Sequence, residues 1–180
     1  MNEDSKYSSN IVNPVFVEDL FLTEVFLIKG RLANKNKRLS NVLEDNQRNY
    51  LQVQDATLVS LRNGEVIKTP NVMVNVKELI LAHELVDCAG DESLRRLAGS
   101  ESKKQSRIRA FYNGSVQFEV GGEIEPGAYE SNKVTGRKYF VMQSPKMRGL
   151  DLEHEELRVL KGLDYAILQR DSMAYVYDFG

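Results

Sequence analysis

The chain has 180 residues, 42% of them hydrophobic and 28% charged, enough to bury one sizeable core or two small ones. Its 24 basic and 26 acidic side chains give a formal charge of −2, so no general field draws it to nucleic acid or an anionic membrane, and such a contact needs a local patch. The single cysteine, Cys88, excludes an intrachain disulfide and a CxxC metal or redox motif, and a reduced, cytoplasmic setting is expected.

In chain order, residues 1–13 read as a polar, disordered tail. The opening MNEDSKYSSN has neither the basic nor the apolar region of a signal peptide. VFVEDLFLTEVFLI is interrupted by Glu18, Asp19 and Glu24, so no membrane insertion is expected. A first β unit spans 14–88. Val15 to Val25 fit either a strand or a short helix, and Val25–Ile28 form a β-prone run ending at Gly30. Within RLSNVLED, the spacing of Leu39, Val42 and Leu43 predicts a helical turn over Val42–Asp45, capped by Ser40 or Asn41. Tyr50–Leu61 predicts one long strand or two bent at Asp55-Ala56. Asn63-Gly64 is the strongest hairpin signal before Glu65–Thr69. Val72–Val76 and Leu79–Leu85 predict a last pair of strands joined across Lys77-Glu78.

From Gly90 the composition turns to charge, Ser and Gly, and residues 89–107 read as a linker with a helical turn near Leu94–Leu97. A second β unit spans 108–180, with Asn113-Gly114 as another hairpin signal. Leu152, Leu157, Leu160 and Leu163 predict a helical insertion near 151–163 that covers an open end of this unit.

The two halves align with each other. Residues 48–61 lie over 137–150 at an offset of 89, and 26–32 lie over 118–124 at 92. Residues 72–82 lie over 165–175 at 93. Three matches in the same order point to tandem duplication. The fold class expected is mainly β: two tandem small curled-sheet or barrel units with short helical insertions.

Arg38-Leu39-Ser40-Asn41-Val42-Leu43-Glu44, followed by Tyr50, Leu51, Val53 and Asp55-Ala56, resembles a family of uncharacterised bacterial domains. That family carries an R-L-S-D-x-L-N segment followed by alternating apolar positions and Asp-Ala. Asn41 and Glu44 depart from its two polar positions. The resemblance covers about the first half of the chain and implies a small β-rich domain with no established activity. Val25–Leu32 and Val72–Leu85 are similar, more distantly, to the first and last strands of Sm-like barrels. The Arg-Gly pair of RNA-binding members is absent at Lys77-Glu78 and at Arg170-Asp171, so the similarity implies topology and no RNA pocket.

Chemistry-bearing residues are sparse. His83, beside Glu84 in a strand pattern, reads as packed or at the surface, and His154 sits on an acidic, solvated face. Cys88 reads as a small buried residue, and Gly121-Gly122 suit a bulge. No catalytic, cofactor or metal constellation assembles, so a non-enzyme is expected. The expected partners are other protein subunits or a second copy, with Tyr165, Tyr175 and Tyr177 as interface residues. The alternative is nucleic acid bound by Lys103, Lys104, Arg107 and Arg109 in the basic linker, with Tyr50, Phe111 and Tyr112 as nearby stacking groups.

Overall fold

The computed structural model describes residues 17–35, 37–45, 47–86, 104–130 and 136–180. The expected tail at 1–13, Cys88, the turn at 94–97, Lys103 and the linker up to 103 lie outside the described residues.

The described chain is mainly β, with short helices. Its first half contributes β1 (Val17–Leu22), β2 (Phe26–Leu32), β3 (Tyr50–Ser60), β4 (Val66–Asn75) and β5 (Leu81–Val86). The second contributes β6 (Ser106–Asn113), β7 (Gln117–Ile124), β8 (Tyr139–Arg148), β9 (Tyr165–Gln169) and β10 (Tyr175–Asp178). All pair antiparallel in a single sheet of order β10-β6-β7-β8-β9-β5-β1-β2-β3-β4. Each half, counted from its own start, therefore has the strand order 5-1-2-3-4. The expected units are not separate sheets, because β5 pairs with β9, Leu81 opposite Leu168 and Ala82 opposite Ile167.

Local irregularities recur at matching places. The β2–β3 register shifts between Lys29 and Arg31, and the β7–β8 register between Gly121 and Glu123. A Cβ on Gly30 would stand 2.7 Å from the Gln54 carbonyl oxygen, and one on Gly122 2.7 Å from that of Gln143, so neither strand tolerates a side chain at its crossing. Asp55 (φ 49°) and Ser144 (φ 47°) sit in the left-handed region one residue further along each partner. The bend expected at Asp55 is thus a local kink within one strand, and it faces Pro70, which lacks an amide to offer. Pro70 is accommodated because β4 lies at the sheet edge, so Glu65–Thr69 and Val72–Val76 merge into one strand. In the third alignment the ladders set the offset at 94 instead of 93: Tyr50 faces Asn75 and Tyr139 faces Gln169. One residue matters in a strand, since it exchanges the two faces.

The structure sharpens three expectations. Of the two alternatives for Val15 to Val25, the chain forms the strand, β1, from Val17. The helical turn α1 is Leu39–Leu43, with Arg38 at its N-cap and no side-chain cap bond there. The Leu39 amide donates instead to Glu84 Oε1 (2.8 Å), a partner 45 residues away. The insertion at 151–163 is a run of turns ending in a 3₁₀ helix, Arg158–Gly162. Leu157, Leu160 and Leu163 recur every three residues, the period of a 3₁₀ turn, and all three are buried.

The core has two clusters. One is the first half's interior: Phe21, Ile28, Val53, Val74, Leu79 and α1, joined by Tyr139 and Ile167 from the second half. The other is the second half's interior, joined by Leu20, Leu22, Leu27, Val59 and Leu81. The 151–163 insertion docks over that outer face of the first half. There Lys29 pairs with Glu156, and the His154 ring lies against Gly64.

Candidate interaction surface

Among the described residues the two ends of the sheet, β4 and β10, each have one unpaired side. Such a side presents free amides and carbonyls to solvent, and natural proteins usually shield it. On β10 the geometry can be read from its pairing with β6. Tyr175 faces Phe111 and Tyr177 faces Arg109, so these four side chains share one face of the sheet. Phe179 extends the row, its amide donating to the Arg107 carbonyl (2.9 Å). The Tyr177 and Phe179 rings meet edge to face at 4.6 Å, and the Arg109 guanidinium lies 5.7 Å from the Phe179 centroid. Tyr175, Tyr177 and Phe179 are all exposed.

The strand is locked in place by Asp178. Its carboxylate accepts from the Ser106 hydroxyl (2.6 Å), the Gly180 amide (3.0 Å) and the Tyr129 hydroxyl (3.1 Å). The Ser106 bond, then the Gly180 amide, hold the Asp178 carboxyl below its ordinary range. The same carboxylate raises the Tyr129 phenol.

The sequence-predicted residues fall in different places. Arg107 and Arg109 are on the ordered strand β6 and not in a linker, and they flank the aromatic row. Lys104 is exposed just before that strand. Tyr175 and Tyr177 are on the open edge. Tyr165 is not: it is half-buried at the internal β5–β9 junction, its ring 4.4 Å from that of His83. Burial pushes its phenol up to about 12. Of the stacking candidates, Tyr112 is buried against Phe118, whereas Tyr50 is exposed on β3. Phe179 and Met73, both exposed on the free edges, escaped sequence reasoning. The period-two run Tyr175, Tyr177, Phe179 was the signal for the first; Met73, within an apolar run, carried none.

Elsewhere several charged and polar groups pair with one another. Lys35 Nζ bridges the buried Asp19 (2.5 Å) and Glu84 (2.6 Å), clasping the α1 loop to β1 and β5. Burial pushes the Asp19 carboxyl above its ordinary value of 3.8 against the pull of Lys35. His83 Nδ1 lies 2.9 Å from the Tyr165 carbonyl oxygen, which can only accept, so that nitrogen carries the proton. Around His154, Glu153 pairs with Lys161 and Glu156 with Lys29. Among the described residues no group of three or more His, Cys, Asp or Glu is gathered as for a metal. No helix among them is long and apolar enough to cross a membrane. A cleft of about 500 Å³ opens between the 3₁₀ turns Val76–Glu78 and Arg170–Ser172. Arg48, Lys77 and Lys138 line it together with Glu24, Glu78 and Asp171, a balanced set that favours neither sign of ligand.

No protein-family model, no curated protein and no solved structure matches the chain.

Proposed function

We propose that the chain is a non-catalytic interaction protein of the cytoplasm, which assembles with other protein chains by strand addition at its open sheet edges. The observation that carries this reading is the β10 edge: an unpaired strand, fixed by Asp178, with three exposed aromatic side chains along one face. Main-chain bonds at such an edge supply affinity and alternate side chains supply selection. The repeated strand order and the matching bulges support descent of both halves from one duplicated unit of small-barrel, Sm-like type.

The test uses the amide of Val176. Phe179 donates to Arg107, and Tyr177 and Tyr175 lie two and four residues earlier on the same ladder. By the alternation of an antiparallel pair, the Val176 amide then points away from β6. Val176→Pro therefore removes an outward donor without breaking an internal bond. Proteins captured from a host extract by the wild type are expected to be lost with Val176→Pro. Identical sets captured by both would sink the reading.

A second reading is favoured by Arg107 and Arg109 standing beside Phe111, Tyr175, Tyr177 and Phe179, the mixture that single-stranded RNA uses for backbone contact and base stacking. It predicts binding of labelled single-stranded RNA at low salt that weakens steeply as salt rises and drops with Arg109→Ala. A flat titration removes it.

A further inference from the structure

The internal β5–β9 junction is a template for a junction that the chain leaves unmade. In it, the fifth strand of one half pairs with the fourth strand of the other. Among the described residues, the two strands left open are the fourth of the first half, β4, and the fifth of the second, β10. We propose that copies of this chain associate head to tail, β10 of one copy pairing with β4 of the next in the register of the internal junction. This inference rests on the edge-docking reading above and names the partner as a second copy.

The ladder registers say which residues correspond. Tyr50 opposite Asn75 matches Tyr139 opposite Gln169, so Tyr50 corresponds to Tyr139, and Met73 and Val74 correspond to Ile167 and Leu168. Leu22 opposite Leu81 matches Phe111 opposite Tyr175, because the Ile80 amide donates to Leu22 as that of Ala174 donates to Phe111. Leu81 and Ala82 thus correspond to Tyr175 and Val176. Transferred to the open edges, the pairs Leu81–Leu168 and Ala82–Ile167 become Tyr175–Val74 and Val176–Met73. The bond from the Gln169 amide to the Ile80 carbonyl (3.0 Å) becomes one from Asn75 to Ala174.

The side chains fit that transfer. At the internal junction Tyr139 (4% exposed) and Ile167 (4%) sink into the first half beside Val76, Leu79 and Ala82, and the Tyr139 hydroxyl donates to the Val76 carbonyl. Their counterparts Tyr50 (54% exposed) and Met73 (58%) are large, apolar in body and uncovered, as is Tyr175 (69%). The counterparts of Leu79 and Ala82 are Met173 and Val176, which are apolar and only partly covered. A second copy docked in this register covers Tyr50, Met73 and Tyr175 at once. The contact is heterologous, so it closes into a ring or extends as a filament. It lacks the 151–163 insertion that covers the internal junction's outer face, since β3 and β4 are joined by the short turn Leu61–Glu65. The association is therefore weaker than the internal one and depends on concentration.

Light scattering on the purified chain should give a mass that rises with concentration through whole multiples of the monomer. Met73→Lys and Tyr175→Lys, both at exposed positions, should each hold it at the monomer mass with unchanged circular dichroism. With Cys88 replaced by serine, the pair Met73→Cys and Val176→Cys should yield on oxidation a ladder of covalent multimers, whereas either cysteine alone stops at dimers. A wild type that stays monomeric at every concentration overturns the inference, as does an oligomer whose mass neither lysine variant changes or a cysteine pair that gives no ladder. A monomer that still loses its captured host proteins with Val176→Pro overturns self-association alone. A monomer for which that substitution changes nothing overturns the edge-docking reading as well.

Discussion

At the scale of single residues, two buried polar groups carry measurable consequences. The Tyr112 hydroxyl has no hydrogen-bond partner among the described residues, although its ring stacks on Phe118 at 4.9 Å. Burial pushes the phenol far above its ordinary range. A buried hydroxyl without a partner costs about 1–3 kcal/mol, so Tyr112→Phe should leave stability unchanged or raise it by up to about that amount in urea denaturation. A loss of stability would reveal a partner for the hydroxyl. His83 differs, because burial lowers its pKa below the ordinary 6.5, with the Tyr165 carbonyl and nearby carboxylates opposing. The unfolded chain then takes up a proton more readily than the fold does. His83 therefore contributes stability that is present above the unfolded value and is lost as pH falls below it toward the depressed folded value. The wild type should lose stability on acidification from about pH 6.5, and His83→Gln, which keeps a donor for Tyr165, should flatten that part of the profile. Equal slopes for both proteins would contradict this assignment.

At the scale of elements, the two bulge glycines make paired predictions. A methyl group on Gly30 meets Val53 Cγ1 and the Gln54 carbonyl, both at 2.7 Å. One on Gly122 meets Met142 Cγ at 2.6 Å and the Gln143 carbonyl at 2.7 Å. The carbonyls belong to paired strands and cannot swing aside, so Gly30→Ala and Gly122→Ala should each cost about 1–3 kcal/mol by denaturant melting. A neutral result at either site would mean that its strand crossing is looser than drawn. These elements also show how much could be read in advance. Alternation in YLQVQ and the Asn63-Gly64 turn specify β3, β4 and their hairpin, because both signals are local and have one physical solution. The leucines of 151–163 predict a helical insertion but not its type, since three- and four-residue spacings are hard to separate over so few turns, and the chain there forms turns ending in a 3₁₀ helix. The true N-terminal partner of α1, Glu84, lies far along the chain, and no capping pattern points to it.

At the scale of the whole molecule, the junction that matters most was also the least legible, because pairing of Ala82 with Ile167 joins residues with no local pattern in common. For the same reason the open edges were invisible, and only Tyr175 and Tyr177 marked one of them. That junction makes the halves one folding unit. Leu20, Leu22, Leu27 and Leu81 of the first half are fully buried in a cluster centred on the second, and Tyr139 and Ile167 reach the other way. Unfolding one half would strip apolar surface from the other, so calorimetry should give a single transition with calorimetric and van't Hoff enthalpies in agreement. Measured on the Met73→Lys chain, the test is free of any self-association. Leu81→Ala, at a side chain with no exposure, should cost about 2–5 kcal/mol and move that one transition as a whole. If the halves were independent, two transitions would appear, and the substitution would shift one of them and leave the other in place.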